Sequence, residues 1–185
     1  MIVVEDKLKA ILDQLPLVPL STTGLFKPVF MWGSQRDLIA TLKLYKSSQK
    51  PYPLVWLITP YKETHDRLKK RVDVENMSII LAVPNNSQML PIQRLETSFK
   101  QVLIPLFENV QDLFRKASTV SSDQVYGIEK HYNYGGDDQK TGITDIWDVL
   151  KFDINMQIND RCLNKMVIPS FLGRTGLNNS LNAAL

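Results

Sequence analysis

The chain of 185 residues is poor in the residues that most active sites are built from. One cysteine, Cys162, excludes an internal disulfide and any cysteine-rich zinc site. Two histidines, His65 and His131, leave little for a histidine metal centre or a catalytic triad. Eight glycines are few for loops that cradle phosphates. No apolar run approaches the roughly 20 residues a spanning helix needs. The start, Met1 to Lys7, carries Glu5 and Asp6 where a secretion signal has its basic region. The Asn-x-Ser triplets at Asn76, Asn85 and Asn178 are accordingly read as chance, and synthesis in the cytosol is expected. What remains is ordinary: 44% apolar, 22% charged, net charge +3, enough chain for one core without a staple.

The patterning predicts an α+β domain, mostly antiparallel sheet, with an N-terminal helix and a long helix in the C-terminal half. Leu8, Ile11, Leu12 and Leu15 give helical spacing over 2–15, stopped by Pro16. Residues 15–27 read as a linker and 28–32 as a short strand. A helix over 34–46 has Ser34 as N-cap and an apolar face of Leu38, Ile39, Leu42 and Leu44 or Tyr45. Strands are expected at 54–58, 67–74 and 77–83, with a turn from Pro84 to Ser87. In 67–74 the odd positions Arg67, Lys69, Arg71 and Asp73 are all charged. A helix over 91–116 buries Ile92, Leu95, Phe99, Val102, Leu106, Val110 and Leu113, with a kink at Pro105. A strand is plausible over 125–134 and a polar loop over 133–142. From Leu150 to Asn159 apolar and polar residues alternate five times, the mark of a strand with one buried face. The expected division is a domain over 1–165 and an extended arm over 166–185.

Several patterns suggest chemistry and are outweighed by simpler readings. Ser47-x-x-Lys50, Ser122-Asp123-Gln124 and Lys140-Thr141-Gly142 mimic the motif set of penicillin-recognising enzymes, but Gln124 replaces the required Asn and the chain is too short for that fold. His65, between Thr64 and Asp66, could serve as a base of a small hydrolase, yet its surroundings read as a solvated loop. His131 lies among Tyr132 and Tyr134, an aromatic cluster at a strand end. Asp137-Asp138 could take a divalent cation, but the acid spacing of a calcium loop is missing. Trp32, Trp56 and Trp147 read as core or interface residues. No metal, cofactor or catalytic residue is therefore expected.

Charge is more informative. Lys62, Arg67, Lys69, Lys70 and Arg71 stand against Glu63 and Asp66, net +3 within 62–71, while 121–160 carries net −5. Opposite charges on separate elements suit head-to-tail contacts between copies of one chain. A basic strand face could instead line a channel holding DNA by its phosphates. The candidates for subunit interface or DNA channel are Lys62, Arg67, Lys69, Lys70, Arg71, Asp137, Asp138, Lys151 and Asp153.

The succession of an N-terminal helix, a second helix, the apolar strand Tyr52–Tyr61, a basic strand, the apolar strand Ser78–Val83, a helix with Val102-Leu103-Ile104-Pro105-Leu106 and a strand ending in Ile158–Cys162 resembles the tail-terminator and neck (tail-completion, head–tail joining) proteins of tailed bacteriophages, including crAss-like gut phages. The resemblance spans residues 2–162. It implies a non-enzymatic virion subunit, assembled in the host cytoplasm into a ring of six or twelve copies. Its partners would be portal, neck or tail proteins and, non-specifically, packaged DNA, with no membrane involved. The extended C-terminal arm departs from that family's pattern. The alternative from the residues themselves is a nucleic-acid-binding accessory protein using the basic strand.

Overall fold

Two long strands, each with an apolar side, lie together at the centre of the molecule. The computed structural model describes residues 2–21, 24–44, 51–85, 88–122, 127–134 and 146–159. Its elements run α1 (Val4–Leu12), β1 (Val18–Ser21), β2 (Gly24–Phe26), β3 (Val29–Gly33), α2 (Gln35–Leu44), β4 (Leu54–Ile58), β5 (Lys62–Asp66) and β6 (Arg71–Asn85). There follow α3 (Pro91–Arg94), a π-helical stretch (Leu95–Leu103), α4 (Ile104–Lys116), β7 (Val120–Ser122), β8 (Ile128–Tyr134) and β9 (Ile146–Asn159). The fold is α+β. The main sheet has the order β3-β4-β6-β9-β7, with β5 beside the first part of β6 and β8 beside β9. Only β3 and β4, joined through α2, are parallel. The short β1–β2 ribbon stands apart.

β6 joins two segments that the sequence separates. Val74 pairs with Met156 and Met77 with Ile154, so β6 takes three steps where β9 takes two. The extra residue is a bulge at Glu75–Asn76. Asn76 adopts φ 57°, a left-handed conformation that asparagine tolerates, and its N–H donates to Asn155 Oδ1 at 2.9 Å. One inserted residue exchanges the faces of a strand. Val72 and Val74 therefore share the core with Met77, Ile79, Leu81 and Val83, although their numbers differ in parity.

One face of the sheet is covered by α1 and by the helical rod over 91–116. Val4, Leu8, Ile11 and Leu12 from α1 meet Phe99, Leu103, Leu106, Val110 and Leu113 from the rod in one continuous core. Burying each such side chain contributes about 1.5–3 kcal/mol. The π-helical stretch ends at Leu103, two residues before Pro105. The N–H of Ile104 bonds to Phe99 O, five residues back, a wider turn that leads into a proline without an N–H to give.

The opposite face is covered at one end only. Leu38 of α2 packs with Tyr52, Leu54, Trp56, Ile80, Ala82, Trp147 and Val149. Trp147 Nε1 donates to the Tyr52 hydroxyl, and Trp56 Nε1 to Gly33 O at 3.0 Å. Ser34 caps α2 as its sequence position suggests. Its Oγ accepts from Asp37 N–H at 3.2 Å, and its own N–H donates to Asp37 Oδ2 at 2.8 Å. Beyond Val149 the same face of β9 is polar.

Several expectations are corrected. The strand over 67–74 does not exist as such: β5 ends at Asp66, residues 67–70 form a turn, and β6 starts at Arg71. β6 continues through Pro84 to Asn85, where a turn was expected. The 15–27 linker contains the β1–β2 ribbon. Ile92 and Leu44 are exposed, because α3 is a single turn at the rod's free end and Leu44 is the last residue of α2. Trp32 is 44% exposed on the edge strand β3. β9 begins four residues before the alternation, and there Trp147, Asp148 and Val149 are all buried. Asp137, Asp138, the penicillin-like triplets at Ser47–Lys50 and Lys140–Gly142, and the arm over 166–185 lie outside the described residues.

Candidate functional site: a basic hairpin and an open sheet face

The turn between β5 and β6 has no glycine, proline or asparagine. It is made by Asp66, whose Oδ1 accepts from the N–H groups of Leu68 at 3.1 Å and Lys69 at 3.0 Å. Lys70 completes it in the left-handed region at φ 50°, at a cost of about 1 kcal/mol for a residue with a Cβ. The backbone bond from Lys69, then the Lys69 ammonium, hold the Asp66 carboxyl below the usual carboxylate range. Its Oδ2 lies 3.7 Å from Lys69 Nζ. Asp66 is thus committed to the turn. The tip of the turn, Leu68, is 98% exposed.

This turn divides the basic cluster. Lys62 bonds to Glu75 at 2.7 Å across the β5–β6 pair, and Lys69 leans on Asp66. Arg71 donates from Nη2 to Asp73 Oδ2 at 3.0 Å, and Gln157 holds the other Asp73 oxygen at 2.9 Å. Arg71 Nε is buried with no hydrogen-bond partner among the described residues. Arg67 and Lys70 have no ion pair or hydrogen bond to any described residue. Arg67, Lys70 and Arg71 converge on a cleft of about 520 Å³ whose apolar wall is Ile2 and Val72. His65 lies on its rim, bound through Nε2 to Glu63 Oε2 at 2.7 Å. Nearby, the Tyr61 hydroxyl donates to Glu5 of α1. Burial first, and that bond second, push the Tyr61 phenol well up.

Lys151 and Asp153 stand on the bare half of the second sheet face. Lys151 pairs in register with Ile80, nine positions along β6 from Arg71. Lys151 Nζ lies 3.4 Å from Glu129 Oε2, and Asp153 accepts from Ser78 Oγ. Glu129 also binds His131 Nε2 at 2.9 Å. That bond first, and Lys151 second, keep its carboxyl below the ordinary range. On this face Lys151, Glu129 and His131 satisfy one another, as do Asp153 and Ser78. Among the described residues no group of three or more His, Cys, Asp or Glu is placed to hold a metal ion. No described helix is long and apolar enough to cross a membrane.

One charged pair escapes the sequence reading. Asp148 is 0% exposed within β9, on the large-core face, and Arg94 is 4% exposed. Arg94 Nη1 lies 3.8 Å from Asp148 Oδ1, and Arg94 Nε donates to Met89 O at 3.1 Å. The signal was present: an acid set between Trp147 and Val149, where the neighbours are otherwise apolar. It pins the start of the helical rod to the sheet.

A scan against protein-family models finds no match to the chain, and a search of curated proteins finds no matching relative.

Proposed function

We propose that the chain is a structural virion subunit that closes into a ring of six or twelve copies in the neck or tail of a tailed bacteriophage, joining head and tail around the DNA channel. The observation that carries this reading is the pair of sheet edges. At one end β3 reads Val-Phe-Met-Trp-Gly, without charge, and carries the exposed Trp32 beside Phe30 at a ring distance of 5.8 Å. At the other end β8, which does carry charge at Glu129 and Lys130, exposes Ile128 and Tyr132. Among the described residues no strand lies against the outer edge of either. An uncharged edge strand is a template for another strand. Two different edges meeting head to tail make a heterologous contact, the kind that closes a ring. The hairpin tip at Leu68, at the far end of the β6–β9 ribbon, would reach an adjacent ring. Portal, neck or tail proteins are the partners this reading implies, with the host cytoplasm as the place of assembly. Negative-stain microscopy of the purified chain should show rings, and the chain should join isolated tails or portals; a monomer that joins neither refutes the proposal.

The alternative, a nucleic-acid-binding accessory protein, draws its support from Arg67 and Lys70, which make no ion pair or hydrogen bond with any described residue. It requires oligonucleotide affinity that falls steeply with salt and disappears when Lys69, Lys70 and Arg71 are neutralised.

A further inference from the structure

We infer that the cleft behind the β5–β6 turn is a binding site for a phosphate group carried on a body of nucleotide size. Three cationic groups face one concavity with unused capacity. Arg67 and Lys70 make no ion pair or hydrogen bond with described residues, and Arg71, whose Nη2 is held by Asp73, lines the same cleft. The carboxylates nearby each have partners inside the protein. Asp66 is spent on the turn, Glu63 on His65 and Asp73 on Arg71 and Gln157. The left-handed Lys70 sets that side chain beside its neighbours in the cleft.

The shape narrows the ligand. A volume of about 520 Å³ lies within the roughly 300–1,000 Å³ range of small-molecule sites, far more than a bare phosphate fills. Ile2 and Val72 offer an apolar wall to the rest of the molecule. Arg67 and Arg71 can bracket phosphate oxygens by planar N–H pairs while Lys70 supplies a point charge. The same group can come from a free nucleotide or from the terminal phosphate of a nucleic-acid strand. The site lies wholly within one protomer, so it stands or falls apart from ring assembly.

The test is titration of the full chain at low salt, followed by backbone amide shifts of residues 65–72, with four probes: AMP, adenosine, and a short single-stranded oligonucleotide with and without a 5′-phosphate. The expected result is saturable binding of AMP, of the 5′-phosphorylated strand, or of both, and none of adenosine. AMP alone binding identifies a free nucleotide as the source; the phosphorylated strand binding more tightly identifies a strand end. Arg67→Gln with Lys70→Gln, both surface changes, should weaken binding at least about tenfold, the loss of one charge-assisted hydrogen bond. Failure of every phosphorylated probe to bind, equal binding with and without the phosphate, or an unaffected double variant overturns the inference.

Discussion

The two faces of the central sheet are made by the same strands and end in different states. The face under α1 and the helical rod is apolar from Val72 to Val83 along β6 and from Leu150 to Ile158 along β9. The other is apolar only where α2 lies over it and then passes into ion pairs and side-chain hydrogen bonds. The first face fixes the fold by burial. The second carries polar groups that pair with one another beyond the reach of α2. Stability and interaction are thereby assigned to different sides of one ribbon.

The largest expected effect falls on the well-covered face. Arg94→Met would strand the buried Asp148 carboxylate and cost about 3–5 kcal/mol in chemical denaturation. Adding Asp148→Leu should restore most of it; a double variant no better than the single one would show that the pair is not what holds the rod. Next come two neighbours on opposite faces. Ile79→Ala and Ile80→Ala each remove a fully buried side chain at about 2–5 kcal/mol, and the Ile80 change should be the smaller because the layer over it is one helix. Equal losses would erase the difference between the faces.

Smaller effects follow at the joints. Tyr61→Phe should cost about 1 kcal/mol by releasing β5's approach from α1. The Tyr61 phenol is raised in the folded state, so the fold binds its proton more tightly than the unfolded chain. Its contribution is full below the ordinary value of 10.0 and is lost as pH rises beyond it. Thermal melts above that pH should fall less steeply in the Phe variant than in the parent. Ser34→Ala should cost about 1 kcal/mol by uncapping α2. Asp37, held low first by the Ser34 side chain, adds stability above the carboxylate range that fades as pH falls through it. Last, Lys151→Ala on the bare face should change stability by less than about 1 kcal/mol, since its pair with Glu129 is open to water.

The same contrast explains what could be read in advance. Amphipathic periodicity located α1, the rod and β9, because each presents one face to a large core, and Ser34 as N-cap marked the start of α2. The bulge at Glu75–Asn76 was hidden, because a parity change in a strand looks like two strands. The hairpin was hidden too, since Asp66 is its one customary turn residue, with no glycine, proline or asparagine beside it. Charge counting found the cations around residue 67 but placed them along a strand. Only the turn turns Arg67, Lys70 and Arg71 toward one cleft. Asp148 entered only the charge count of 121–160, because its partner, Arg94, is 54 positions away in the chain.

The central claim is that free sheet edges join copies of this chain. Light scattering of the purified protein across a concentration series, for the parent and for Trp32→Lys on β3, tests it most directly. The claim requires a parent species of six or twelve times the 21.2 kDa protomer, and a folded, monomeric Lys variant. A parent that stays monomeric at every concentration, or an oligomer indifferent to a charge on β3, would contradict it.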